Sequence, residues 1–347
     1  MQPFLLFIFA LGQGALAAKW AFDSACTALL LNDGSTIDAT RGISRAVNEA
    51  IEMADNAFQV MDRLANDVNV QQILNIFLDN DLVKVAQVKA TFGAIRIFDR
   101  SPSSLAVGDP QWQLEKTNQD VEFYCDLKRY TRHPTLDTQV IDTSMEGTRW
   151  ANSHYERFLK YYTLDYDLNG PQAKLPSMAR TTDSDLLNRA ILVSDRLAGL
   201  TVNERDPKYS TPRPHLPSAI DISTWWIHQW HLLDFPLTNS AFMELVVTEE
   251  FMTGFLAKNP GQRVPMDALR TFSMSMLHEL THTVPGGYLL DTPDTTLCYG
   301  WSNCVAYKNP RNAETVAMIG VAFWMLKLGY MPGEDGSIRP IQVSGHV

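Results

Sequence analysis

Apolar positions recur at helical spacing through most of the chain. Ile43, Ala46, Val47, Ala50, Ile51, Ala54, Ala57, Phe58, Met61 and Leu64 form one continuous stripe, which predicts an amphipathic helix over 42–66. Further helices are predicted over 69–78, 81–97, 152–162, 184–198 and 239–257. Another starts at Pro265, whose missing N–H costs nothing in a first helical turn, and a last one runs from an Asn312 cap to Gly329. The alternation Val121-Glu122-Phe123-Tyr124-Cys125 predicts a strand, with a second short one over 139–141. Residues 101–118, 164–182 and 199–218 are rich in turn formers and are expected to be irregular, as is the tail from Met331. The chain is therefore expected to be α+β and mostly helical.

Within the helix expected from Pro265, the sequence His278-Glu279-Leu280-Thr281-His282 places two imidazoles four residues apart. Side chains at that spacing stand on one face, one turn above the other. Two neutral imidazoles so placed can bind one Zn²⁺, with Glu279 beside it as general base. A catalytic zinc needs a third protein ligand and an open position. No Gly-x-x-His continuation follows, so a metzincin is excluded.

Downstream, Thr292-Pro293-Asp294 and Tyr299-Gly300 follow the histidines. Here the chain resembles the aspzincins, the deuterolysin and peptidyl-Lys metalloendopeptidase family, in which H-E-x-x-H is followed by G-T-x-D-x-x-Y-G. The resemblance extends to Asn312-Ala313-Glu314, similar to an N-A-D that opens a helix behind the zinc helix. It covers residues 266–328 and implies a zincin-like fold with an active-site helix, a backing helix and a small sheet. It implies Asp294 as third zinc ligand beside His278 and His282, and Tyr299 as a hydrogen-bond donor to the oxyanion. Asp291 stands where the family has glycine, and four residues rather than two separate Asp294 from Tyr299. Asp291 is thus a second candidate ligand. Glu314 is a third, because Glu314-Thr315-Val316-Ala317 fits the E-x-x-A of the gluzincins.

Residues 1–17 read as a signal peptide: a short apolar run from Phe4 to Leu11, then Ala15-Leu16-Ala17 as a cleavage signal. A helical region over 18–118, a metallopeptidase domain over 119–330 and a tail over 331–347 are expected to follow. The longest later apolar run, Val316 to Leu326, is too short to cross a bilayer. A secreted, monomeric protein is expected, with no membrane partner. The net charge of −10 argues against nucleic acid. In an oxidising compartment the four cysteines suggest two disulfides, Cys26–Cys125 and Cys298–Cys304, the second closing a short loop around Tyr299. A thiolate ligand at Cys298 is the competing use.

His228 and His231, among Trp225, Trp226 and Trp230, are expected at the edge of a packed aromatic wall rather than on a metal, since no glutamate there supplies a base. The expected function is zinc-assisted hydrolysis of a protein or peptide substrate. Glu279 takes the proton of the attacking water and returns it to the leaving amine. The other class is a secreted zinc-binding effector or adhesion-type protein without turnover.

Overall fold

A computed structural model describes residues 17–30, 34–126, 129–132, 135, 139–142, 148–151, 199–202, 216–222, 224–259, 261, 263–293 and 298–341. The expected signal peptide, the helices over 152–162 and 184–198, the loop over 164–182 and Asp294 fall wholly or largely outside these residues.

The longest helix, α1 (Thr40–Val60), follows the apolar stripe read from the sequence as far as Val60, where the chain tightens into a 3₁₀ turn, Met61–Arg63, instead of running on to 66. Ile43, Val47, Ala50, Ile51 and Ala54 on that face are fully buried. They pack against α8 (Phe272–His282), which carries both site histidines, and against α10 (Ala313–Lys327). α2 (Val68–Leu78) and α3 (Leu82–Ile95) form a hairpin with Asp67 and Asp81 as side-chain N-caps. Asp79 and Asn80 take left-handed conformations between them.

One four-stranded sheet completes the core, in the order β1 (Trp20–Phe22), β4 (Val121–Tyr124), β9 (Ser218–Ile222), β8 (Gly199–Val202). The first three are parallel and β8 is antiparallel at the end. β4 and β9 are buried along their whole length, as parallel strands covered on both faces are. The buried carboxylate of Glu122 is satisfied by Lys116 Nζ at 3.1 Å, Trp112 Nε1 at 2.8 Å and the Tyr124 hydroxyl at 2.9 Å. The small hairpins β2 (Leu29–Leu30) with β3 (Thr36–Ile37) and β10 (Tyr330–Pro332) with β11 (Ile338–Pro340) lie apart from this sheet, as does a three-stranded sheet of β5 (Tyr130–Arg132), β6 (Gln139–Asp142) and β7 (Thr148–Ala151). β1 comes from the expected N-terminal region and its neighbour β4 from the expected peptidase region, so the two share a sheet and a core.

Several expectations are corrected. Gly108-Asp109-Pro110 opens a helix, α4 (Pro110–Glu115), because Asp109 caps the Gln111 N–H and proline fits the first turn. Residues 199–202 are strand β8 rather than loop. The packed aromatic wall expected over 225–231 is present in α5 (Thr224–His231), where Trp226 and Trp230 meet edge to face at 5.4 Å. The helix expected over 239–257 is two, α6 (Ser240–Val246) and α7 (Glu249–Lys258). Thr248 starts the second by accepting from the Phe251 N–H, a competing hydrogen bond that breaks the continuous helix. The tail from Met331 joins a hairpin of β10 (Tyr330–Pro332) and β11 (Ile338–Pro340).

Cys26 and Cys125 are bonded, tying the end of β4 to the turn after β1. Cys298 and Cys304 are not: Cys304 Sγ points to the Cys298 carbonyl, 4.0 Å away, at the start of α9 (Trp301–Tyr307). No helix among the described residues is long and apolar enough to cross a membrane.

Candidate metal centre

Pro265 does not begin the histidine helix. It begins a separate 3₁₀ turn, Pro265–Leu269, and the chain breaks at Arg270. Thr271 then caps α8 by accepting from the Met274 N–H at 3.2 Å. Eleven residues follow, ending at His282. Gly320 lets α10 lie close against this helix, since a Cβ there would stand 2.6 Å from Leu277 Cδ2.

After His282 the chain reverses. Gly286 is required at the turn, because a Cβ would meet the Leu280 carbonyl at 1.8 Å. The returning strand bonds back to the helix end, Tyr288 N–H to Thr283 O at 2.9 Å and Leu289 N–H to Thr281 O at 2.9 Å. Leu290 then bridges to the start of α10, accepting from the Ala313 N–H at 3.1 Å. These contacts deliver Asp291 beneath the two imidazoles.

His278 Nε2 and His282 Nε2 are 3.1 Å apart. Asp291 Oδ1 lies 3.4 Å from the first and 3.6 Å from the second. Donors about 2.1 Å from a tetrahedral ion stand about 3.4 Å from one another, so the three atoms have the spacing of three corners of one coordination tetrahedron. Asp291 Oδ1 is buried and accepts no hydrogen bond. A buried acceptor left that way is costly unless a cation or proton meets it. The described residues thus contain a buried group that could hold a metal ion.

Each ligand candidate is held from behind. His282 Nδ1 lies 2.8 Å from the Leu289 carbonyl, which fixes the tautomer with the lone pair on Nε2. His278 Nδ1 lies 3.0 Å from Glu314 Oε2, off the line of the ring N–H. The other Asp291 oxygen accepts from the Tyr299 hydroxyl at 2.6 Å. Burial disfavours a charged His278, but the Asp291 and Glu314 carboxylates outweigh it and raise its pKa to about 9. The rise reflects the pull of the Asp291 and Glu314 carboxylates on positive charge at this ring. Glu314 is opposed by burial yet held down to about 2 by Arg270 and His278. Burial and the Asp291 charge push the Tyr299 hydroxyl far up, so it stays a donor. Burial, with Asp291 and Glu314, pushes the Cys298 thiol up to about 12, and its sulfur is not part of the metal-capable group.

Comparison with protein-family models, curated proteins and solved structures finds no match.

Of the site residues expected from sequence, the structure brings His278, His282 and Tyr299 together, with Glu279 buried on the same helix between the histidines. Asp294 lies outside the described residues, and Asp291, the second candidate, stands at the third corner. Glu314 faces Nδ1 of His278, whereas the corner is formed at Nε2. His228 and His231 belong to no metal-capable group found among the described residues. Sequence reasoning missed Arg270, which no motif marks. It also missed the work of Asn312, which makes no capping bond in α10. Its amide instead donates to the Cys298 carbonyl at 2.8 Å and accepts from the Thr292 N–H at 3.2 Å, joining the two ends of the loop between them.

Proposed function

We propose that the protein is a secreted zinc metalloendopeptidase, with His278, His282 and Asp291 as the metal ligands and Glu279 as the general base. The observation that carries this is the triangle of two imidazole nitrogens and one carboxylate oxygen, spaced for a single tetrahedral ion, with a glutamate between the histidines. Nitrogen and carboxylate donors at this spacing suit zinc. A zinc ion held there supplies Lewis acidity, lowering the pKa of water to about 7 and polarising a carbonyl. The Glu279 carboxylate takes a proton from the attacking water and passes it to the leaving amine nitrogen. Tyr299 keeps Asp291 turned toward the imidazoles. The resemblance to the aspzincins supports the same reaction, with this chain as a divergent member. The leader-like start and the Cys26–Cys125 disulfide support secretion.

The test is zinc content, with digestion of a peptide library, for the parent and Glu279→Gln. We expect one zinc per chain in both, cleavage by the parent that a chelator abolishes, and at least a hundredfold slower cleavage by the variant. A parent that holds zinc yet cleaves nothing would be a zinc-binding protein without turnover. An active Glu279→Gln would remove the base assignment.

A further inference from the structure

Glu314 and Arg270 form an ion pair at the edge of the core: Arg270 Nε lies 3.3 Å from Glu314 Oε1, the Glu314 side chain has no exposure to solvent and that of Arg270 is 21% exposed. The Gly300 N–H adds a bond to Oε1 at 3.2 Å. Around Glu314, α10 is almost wholly apolar, with Val316, Ala317, Ile319 and Val321 fully buried. An apolar pair of similar size would commonly serve such a core as well or better. Retaining two charges there calls for a use. Glu314 Oε2 accepts no hydrogen bond and lies 3.0 Å from His278 Nδ1, off the line of the ring N–H and behind the ring whose Nε2 faces Asp291 and His282, so it acts on that ring through its charge.

We propose that Arg270 and Glu314 are a positioning pair for the metal ligand His278. Arg270 and the Gly300 N–H pin the carboxylate by Oε1. Oε2 keeps the proton of His278 on Nδ1, so that the lone pair of Nε2 faces the ion, and its charge makes that lone pair a stronger donor. The pin also stops Glu314 from swinging round to become a ligand itself. The two histidines are then unequal, one backed by a buried charge and the other by the neutral carbonyl of Leu289. Neither Arg270 nor Glu314 touches substrate. This rests on the zinc site proposed above and does not require that the site turn over.

The experiment measures zinc affinity by chelator competition for the parent, Glu314→Gln and the double variant Arg270→Gln/Glu314→Gln, with circular dichroism to confirm folding. Both variants are expected to bind zinc about 10- to 100-fold more weakly, with a shifted visible band in the cobalt-substituted protein. A purely structural pair would leave that band unmoved. Parental affinity in folded Glu314→Gln would overturn the proposal. If neither variant folds, ring ¹⁵N spectra of the zinc-loaded parent decide. A proton on Nδ1 of His278 and zinc on Nε2 are expected, and the reverse overturns the proposal. A parent that binds zinc without cleaving peptides would remove the peptidase function and leave this pair in place. A parent that takes up no zinc removes both.

Discussion

The hydroxyl of Tyr299 donates to Asp291 Oδ2 across 2.6 Å, while Asp291 Oδ1 faces both site imidazoles. The tyrosine therefore sets which carboxylate oxygen is offered to a cation. Tyr299→Phe removes the donor and leaves the ring, which lies 5.9 Å from that of His278. Zinc affinity is expected to fall about tenfold, with little change in folding, because partners of ligating carboxylates contribute at that scale. Chelator competition on the two proteins checks it, and an unchanged affinity would show that Asp291 needs no such guide.

A second prediction concerns Glu49, buried in α1 against the start of α8. Its Oε1 accepts from the Thr238 N–H at 2.7 Å, and its Oε2 is buried with no donor. Burial pushes its pKa from 4.5 to about 7, against the pull of its bonds to Ser273 and Thr238. Between those values the native state holds a proton that the unfolded chain has released. Glu49 therefore makes the protein less stable as pH rises from 4.5 to about 7, by roughly 3 kcal/mol once both states are ionised. Glu49→Gln keeps an acceptor for Thr238 and removes this loss. Urea midpoints at pH 5 and pH 8 should show the variant gaining on the parent at the higher pH. Equal pH dependence in the two proteins would count against a buried proton on Glu49.

Asn312→Ala should loosen the metal loop. The side chain bonds the Cys298 carbonyl, the Thr292 N–H and the Thr315 hydroxyl at the same time, and alanine removes all three bonds. A loss of about 2 kcal/mol in stability is expected. Zinc affinity should fall with it, since Asp291 adjoins Thr292. Thermal unfolding with and without zinc separates the two effects. A variant as stable as the parent and as tight for zinc would mean that the loop is held elsewhere.

The thiol count checks the cysteine assignment. Cys298 and Cys304 are each about 1% exposed, and no disulfide joins them. A thiol reagent should find two thiols per chain after unfolding without reductant, and react slowly with the native protein. No thiol after unfolding would restore the bridge expected from sequence.

The sequence alone determined what depends on neighbours a few residues away. The pitch of a helix puts His278 and His282 on one face wherever that helix lies, and the stripe of α1 needed only its own period. Asp81 caps a helix through residues close by in the chain, and Asp109 does the same where turn formers had suggested a loop. The same local rules erred where one side chain redirected the backbone. Thr248 divided a periodic helix in two, and Thr271 moved the start of α8 away from Pro265.

Tertiary structure decided the rest. Which carboxylate completes the corner depends on a reversal after Thr283 and on bonds from Leu290 to the start of α10. The sequence put Asp294 first, with Asp291 and Glu314 as the other candidates; Asp294 lies outside the described residues, and of the other two the fold brings Asp291 to the corner. Arg270 carries no motif because its partner Glu314 is 44 residues away, the difference between 314 and 270. Cys298 and Cys304, close in sequence, were expected to bond, but the turn into α9 aims one sulfur at the other's carbonyl. Local periodicity fixes directions along one element. The meeting of groups from separate elements is fixed only when α1, α8 and α10 close one core around the site.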